Sequence, residues 1–270
     1  MSLLELGARA QASDGVAPFN EASVLAIRDG VKPRVLVLHT SDAGEIIAAA
    51  YAAGDAPVEL VVDPPERRKG LGRGIVDELV AEGEQSFWAH GDLPGAQALA
   101  KSAGLQAQRT LLVLQLELTD PPAAEMVPEE MLLRTYRPED ADAIIEVNAR
   151  AFAHHPEQGA MDRADFDRRT SSEWFDPAGL FVAERGGRII GFHWTKVQGA
   201  IGEVYVVGID PDAQGGGLGT ALTARGIRHL YEQGLRVIDL YVEGDNAPAL
   251  TVYQRLGFTE HAKDVLYVVS

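Results

Sequence analysis

The alternation of hydrophobic and polar positions in the second half of the chain predicts strands and helices that do not alternate strictly. Apolar alternation predicts strands at residues 131–136, 179–184, 188–197, 203–210 and 236–243, and a last one within 258–269. Helical spacing predicts helices at residues 138–152, 162–172, 217–233 and 246–256. We therefore expect an α/β fold of the mixed (α+β) kind, in which a mostly antiparallel mixed sheet is flanked by helices.

The first half repeats the later part of this order. A strand is predicted at residues 58–63, and Leu71, Ile75 and Leu79 then form an apolar stripe at helical spacing. The apolar positions after Gly217 are spread more widely, which predicts a helix that is buried on more than one side.

Two glycine-rich segments lie at equivalent positions in the two halves. The segment Q-G-G-G-L-G-T at 214–220 and the segment R-R-K-G-L-G-R at 67–73 each follow a predicted strand and precede a predicted helix, at an offset of 217 − 70 = 147. Residues 87–105 align with 240–258 without a gap, at an offset of 257 − 104 = 153. A helix that begins in a glycine turn presents free N–H groups and a positive dipole end, which bind phosphate. The pattern indicates a duplicated fold with two phosphate-binding loops.

The segment at 119–130 reads T-D-P-P-A-A-E-M-V-P-E-E, with three prolines and four acidic residues. Proline removes backbone donors and favours extended neighbours, so the segment is typical of a linker. We expect an N-terminal domain at 1–118, a linker at 119–130 and a C-terminal domain at 131–270.

Composition narrows the chemistry. The 270 residues contain no cysteine, which excludes disulfides, thiolate metal sites and a cysteine acyl-enzyme. The net charge of −16 argues against nucleic-acid binding. No apolar run approaches the length of about 18 residues that a membrane span needs, and the first residues lack the pattern of a secretory signal, so a cytoplasmic protein is expected. His154 and His155 have no third ligand at a suitable spacing, so no metal is predicted.

The later glycine segment and its partner helix carry a family resemblance. The sequence Q-G-G-G-L-G, followed by Asn246, Ala249 (or its neighbour Leu250), Tyr253, Gly257 and Phe258, resembles the GNAT family of acetyl-CoA-dependent N-acetyltransferases. Six further segments resemble the mycothiol synthase family, whose members are tandem GNAT proteins: D-G-V-A-P-F-N-E at 14–21, F-W-A-H-G at 87–91, H-P-E-Q-G at 155–159, G-F-H-W-T-K at 191–196, G-E-V-Y-V-V-G-I-D-P at 202–211 and L-Y-V-E-G-D-N at 240–246.

This resemblance implies a reaction. That family transfers acetyl from acetyl-CoA to the cysteinyl amine of Cys-GlcN-Ins, in the last step of mycothiol biosynthesis, without a metal. By resemblance Glu203 is the general base and Tyr253 the general acid. We expect a monomer whose partners are these two small molecules, with no nucleic acid and no membrane among them.

The resemblance also implies ligand-binding residues. In the C-terminal half those for acetyl-CoA are Val207, Gly208, Ile209, Gln214, Gly215, Gly216, Gly217, Leu218, Gly219, Thr220, Asn246, Ala247, Pro248, Ala249, Leu250 and Thr251. In the N-terminal half they are Leu60, Val61, Val62, Arg67, Arg68, Lys69, Gly70, Leu71 and Gly72. Those for the acceptor are Glu21, Glu157, Lys196, Glu203 and Tyr241.

The two halves are not expected to be equivalent. Three basic residues make the loop at 67–72 electrostatically the better phosphate site, whereas Gly215 and Gly216 stand where a basic pair is usual. However, Ala100 occupies the position of Tyr253, and His90 that of Glu243. The N-terminal half is therefore expected to bind acetyl-CoA without catalysing transfer.

Two alternatives remain open from the sequence. One is a different GNAT reaction, on an aminoglycoside or a protein N-terminal amine. The other is a non-catalytic module that senses acyl-CoA, although Glu203 and Tyr253 in one half argue against it.

Overall fold

A computed structural model describes residues 2–124, 126–153 and 158–270, and the chain divides into two compact units. The N-terminal unit comprises Met1–Leu112, Glu243–Asp245 and Ala262–Ser270, and the C-terminal unit comprises Val113–Val242 and Asn246–His261. Each unit is described by itself below.

The N-terminal unit combines four helices with a mixed sheet. The helices are α1 (Leu3–Asp14), α2 (Glu21–Arg28), α3 (Leu71–Ala81) and α4 (Pro94–Ala103). The strands are β1 (Val35–Thr40), β2 (Ile46–Ala52), β3 (Val58–Val62), β4 (Ser86–Ala89), the first part of β5 (Leu105–Glu117) and most of β11 (Thr259–Val269). Strands β1, β2 and β3 pair antiparallel, β3 and β4 pair parallel, and β4 pairs antiparallel with β11.

Strand β2 shows why this unit holds together. Its residues Ala48–Ala52 are almost completely buried, because helices cover both faces of the strand. Ala49 and Tyr51 pack with Leu6 of α1 on one face, and Ala48 and Ala50 belong to the cluster of α3 on the other. Small side chains let both helices approach the sheet closely.

The C-terminal unit repeats this pattern. Its strands are β6 (Leu132–Thr135), β7 (Leu180–Arg185), β8 (Arg188–Gln198), β9 (Ile201–Ile209) and β10 (Val237–Glu243), and its helices are α5 (Ala141–Ala151), α6 (Arg163–Thr170), α7 (Leu218–Glu232) and α8 (Ala247–Arg255). Strands β6 to β9 form antiparallel pairs in chain order, and β10 pairs parallel with β9.

Helices cover both faces of this sheet as well. Phe192 and Trp194 of β8 pack with Ile144 of α5 and Phe166 of α6. On the opposite face, Nδ1 of His193 lies 2.7 Å from the carbonyl oxygen of Leu222 in α7. Helix α7 has buried residues on several sides, from Leu218 to Leu230, as its broad apolar pattern predicts.

The predicted fold class is confirmed, and every strand and helix expected in the second half is present within a few residues of its predicted bounds. The duplication has an unexpected form, because each unit takes in part of the other repeat's last strand. Residues 265–268 of β11 pair with β4 in the N-terminal unit, and Gln115 of β5 donates to Asp239 of β10 in the C-terminal unit at 2.8 Å. Within the described ranges, no helix is long and apolar enough to cross a membrane.

Candidate active site

Two parallel strands separate in the middle of the C-terminal unit. The ladder between β9 and β10 runs from Ile201↔Val237 to Val204↔Leu240, although β9 continues to Ile209. The other edge of β9 stays paired with β8 as far as Ile209↔Gly191. The edge of β9 that faces β10 therefore leaves the ladder before residues 207–209, and its amide and carbonyl groups can bind an extended ligand.

Gly208 lies in this segment, where a larger residue would force a buried ring to move. A Cβ built at this position would overlap the ring of Phe192 on β8. The same separation occurs in the N-terminal unit, where β3 and β4 pair only at Val58↔Phe87 and Glu59↔Trp88.

A glycine turn begins the helix that follows each of these strands. Helix α7 starts after Gly217, whose φ is +86°, and Gly215 and Gly216 also have positive φ. In the N-terminal unit Gly70 has a φ of +89° before α3, and Arg68 adopts +64°. The left-handed turns free the first N–H groups of α3 and α7, as an anion-binding loop requires.

Close packing joins each loop to its strand and its partner helix. A Cβ on Gly219 would lie 3.3 Å from Cδ1 of Ile209 and 3.9 Å from Cγ2 of Val252 on α8. A Cβ on Gly72 would lie 3.5 Å from Cγ2 of Val62 and 3.4 Å from Cδ2 of Leu99 on α4. These are equivalent positions in the sequence repeat, so the two units build the same loop.

Tyr253 follows Val252 on α8, beside this loop. Its ring meets that of Phe258 edge-on with centroids 5.9 Å apart. Burial raises the pKa of the Tyr253 phenol to about 12, because the phenolate would lose hydration. Tyr253 is therefore protonated at neutral pH and can donate a proton. Asn246 caps α8 by accepting from the amide of Ala249.

Glu203 lies on β9, opposite Lys196 of β8 in the register. Along β9 the half-buried residues Glu203, Tyr205 and Val207 alternate with buried ones, so they share one face of the strand. Lys196 is only 7% exposed, and Tyr241 on β10 is 54% exposed. The carboxyl group of Glu203 and the ammonium of Lys196 thus belong to neighbouring strands of one sheet.

Two basic side chains of the loop in the N-terminal unit have acidic partners. The guanidinium of Arg67 donates two hydrogen bonds of 2.7 Å to the carboxylate of Asp14, and its Nε donates to the carbonyl oxygen of Val62. Lys69 is paired with Glu66 at 2.9 Å. Two of the three basic side chains are thus already neutralised by acidic residues, so the loop has less free positive charge than its sequence indicates.

A cavity of about 510 Å³ adjoins this loop within the N-terminal unit. Its lining includes Leu60, Val62, Arg68, Gly72, Trp88, His90, Leu99, Ala100 and Tyr267. Ala100 is buried on α4. The N-terminal unit therefore has no phenol at the position that Tyr253 occupies in the C-terminal unit.

Sequence reasoning missed a charged cluster around His90. Its Nε2 lies 2.7 Å from Oε1 of Glu59, and its Nδ1 lies 2.9 Å from Oδ2 of Asp264. These hydrogen bonds and charges raise the pKa of His90 to about 9, although burial by itself lowers it. The only sequence signal was an acid, Glu59, at a strand position expected to be apolar.

The remaining predicted residues are distributed as follows. Glu21 is the first, exposed residue of α2, and the side chain of Asn20 before it caps that helix. Glu157, with His154 and His155, falls outside the described residues. Among the residues that are described, no group of three or more His, Cys, Asp or Glu side chains could hold a metal ion.

Comparison with known proteins fits this geometry. Residues 142–258 match the acetyltransferase (GNAT) family. A protein named mycothiol acetyltransferase from Clavibacter michiganensis is 47% identical over 98% of this chain and 90% of its own length, and one from Rhodococcus jostii is 47% identical over 96% and 91%. The chain belongs to the mycothiol acetyltransferase family. It is thus an acetyltransferase with the GNAT fold.

Solved structures place both units of this family member in the same fold. A GCN5-related N-acetyltransferase from Sphaerobacter thermophilus has a TM-score of 0.78 at 25% identity and covers 98% of this chain and 90% of its own. A tandem GNAT protein from the clavulanic acid biosynthesis pathway has a TM-score of 0.68 at 21% identity, covering 98% and 92%.

Proposed function

We propose that this acetyltransferase transfers acetyl from acetyl-CoA to the cysteinyl amine of Cys-GlcN-Ins, the last step of mycothiol biosynthesis. The observation that carries the proposal is the separation of β9 from β10 beside the glycine loop and Tyr253. An extended thioester needs free backbone groups, its diphosphate needs a helix start, and its sulfur needs a proton donor. The C-terminal unit has all three.

We assign acetyl-CoA to this unit as follows. The pantetheine arm pairs with the backbone of residues 207–209, and the diphosphate lies on the amides of residues 214–220. Because Gly215 and Gly216 carry no charge, the backbone and the dipole of α7 supply most of this contact. Residues 246–251 line the other side of the nucleotide.

Transfer requires an unprotonated amine, whereas α-amino groups have a pKa of about 8. In our assignment Glu203 removes the proton, directly or through water, as the nitrogen attacks the thioester carbonyl carbon. The tetrahedral intermediate collapses when the carbon–sulfur bond breaks, and Tyr253 donates its proton to the leaving thiolate. Because burial raises its pKa, the Tyr253 phenol is protonated at neutral pH and is available as the donor to the thiolate.

The acceptor carries many hydroxyl groups. We assign their recognition to Lys196 and Tyr241 beside Glu203, and also to Glu21 and Glu157. Hydroxyls accept from an ammonium and donate to carboxylates, so this set suits a neutral sugar and inositol.

We also propose that the N-terminal unit binds acetyl-CoA without catalysing transfer. Its strand separation, its glycine loop and the cavity beside residues 60–62 support binding. The alanine at residue 100 leaves it without a phenol at the position equivalent to Tyr253. We retain residues 119–130 as the boundary between the two repeats of the chain.

Steady-state assays with purified protein test the proposal. Acetyl-CoA and Cys-GlcN-Ins should give CoA release, and Glu203→Gln and Tyr253→Phe should each lower kcat by about 10²- to 10⁴-fold with little change in the melting temperature. Gln254→Ala, which alters an exposed side chain of α8 outside the assigned ligand contacts, serves as a fold control for Tyr253→Phe. Equal activity on an aminoglycoside or a peptide amine would contradict the acceptor assignment, and full turnover by Tyr253→Phe would contradict the role of the phenol.

A further inference from the structure

Lys196 has an unusual environment for an ammonium group. The side chain is nearly buried on β8, and removing a charge from water is costly unless other groups compensate it. Its Nζ lies 5.3 Å from the ring centroid of Trp174 and 5.6 Å from that of Tyr205. Ring faces attract cations at these distances, and the attraction is greater where water is excluded.

The two rings are held against each other and against the core. Trp174 and Tyr205 meet edge-on with centroids 5.1 Å apart, and both lie within 6 Å of the buried ring of Trp194. Trp174 lies in the loop between α6 and β7, whereas Tyr205 lies on β9. A loop residue and a strand residue therefore form two walls around one ammonium.

Arg169 holds the ring of Tyr205 in place. Its Nη1 donates a hydrogen bond of 2.9 Å to the hydroxyl of Tyr205, and its guanidinium carbon lies 5.6 Å from the centre of that ring. Tyr205 is two residues from Glu203 on the same face of β9, and Lys196 is opposite Glu203 in the register. The aromatic walls thus adjoin the position assigned to the base.

We propose that Trp174 and Tyr205 are positioning residues that hold the Lys196 ammonium where it binds the hydroxyl groups of the acceptor. Arg169 orients the Tyr205 ring for this purpose. The inference rests on the proposed function, because it takes Lys196 as an acceptor contact. It implies that the specificity for a polyhydroxylated amine depends on a loop residue outside every motif of the family resemblance.

Kinetics of four variants test this. Trp174→Leu should raise the KM for Cys-GlcN-Ins about tenfold, with kcat and the KM for acetyl-CoA changed less than about twofold. Trp174→Phe keeps a ring and should restore most of the affinity. Lys196→Met should raise the same KM, and Trp174→Leu combined with Lys196→Met should be no worse than Lys196→Met alone, because Trp174 acts through Lys196.

A matched control comes from the same unit. The guanidinium carbon of Arg236 lies 4.0 Å from the ring centre of Tyr231, so Tyr231→Leu removes a cation–π contact that does not involve Lys196. This control should leave both KM values unchanged, and melting temperatures of all variants show whether the loop still folds.

The outcomes separate the inference from the proposed function. Additive effects of Trp174→Leu and Lys196→Met, or a KM for acetyl-CoA that rises as much as that for the acceptor, would overturn the positioning role. So would an unchanged acceptor KM in Trp174→Leu when Lys196→Met raises it. If Lys196→Met itself changes nothing, the assignment of Lys196 in the proposed function is wrong and the inference falls with it.

Discussion

The imidazole of His90 is expected to stabilise the N-terminal unit in a strongly pH-dependent way. It lies between two carboxylates, Glu59 on β3 and Asp264 on β11, and stacks on Trp88 with ring centroids 6.1 Å apart. Glu59 is 1% exposed and also accepts from the backbone amide of Asn20 at 2.9 Å. Replacing His90 by glutamine removes the positive charge that both carboxylates share.

The magnitude follows from the pKa. An increase from 6.5 to about 9 corresponds to roughly 3 kcal/mol of stabilisation by the protonated form. Because the pKa of the folded state exceeds that of the unfolded state, the contribution is fully present below pH 6.5. It is lost as the pH rises through about 9. Wild type should therefore exceed His90→Gln in unfolding free energy by roughly 3 kcal/mol at pH 6 and by little at pH 10.

Urea unfolding between pH 6 and pH 10, followed by the fluorescence of Trp88 in proteins whose other tryptophans are replaced by phenylalanine, measures this difference. An NMR titration of the imidazole resonance that disappears in His90→Gln gives its pKa directly. His261→Gln changes an exposed histidine and should shift the unfolding free energy by less than about 0.5 kcal/mol at every pH. A free-energy difference between wild type and His90→Gln that is the same at pH 6 and pH 10 would refute the reasoning.

Two further predictions concern glycines. Gly226→Ala should destabilise the protein by about 2 kcal/mol in thermal unfolding, because its Cβ would overlap the buried imidazole of His193. The Cβ of Gly74→Ala on α3 meets nothing within 4 Å, so this variant should be more stable than wild type by about 0.5 kcal/mol. Equal shifts in the two variants would contradict this prediction. Isothermal titration with acetyl-CoA should count two sites per chain, and Gly72→Val should leave one site with turnover intact; a single site in the wild type would refute binding by the N-terminal unit.

Local chemistry explains what the sequence predicts well. A glycine turn before a helix is determined by a few adjacent residues, and both Gly70 and Gly217, which are 147 residues apart in the repeat, adopt positive φ in such turns. The hairpin across Gly186 and Gly187 follows from the same kind of local signal. Strand β2 carried no such signal, because its alanine run is buried on both faces and shows no alternation.

The features that the sequence did not predict depend on contacts between residues that are distant in the chain. Arg67 and Asp14 are 53 residues apart, and His90 and Asp264 are 174 apart. The hydrophobic periodicity of a short segment cannot indicate either pair. Lys196 and Trp194 both contact Trp174, although a register shift lies between Trp194 and Thr195. Trp174 itself stands in a short polar segment where no pattern indicates a partner.

The final nine residues of the chain, 262–270, are counted with its first 112. Strand β4 therefore gains its antiparallel neighbour only from residues 265–268 of β11. A nascent chain released prematurely, or a fragment cut after residue 118, would expose that strand edge to other chains. A peptide with the sequence of β11 should therefore bind to such a fragment.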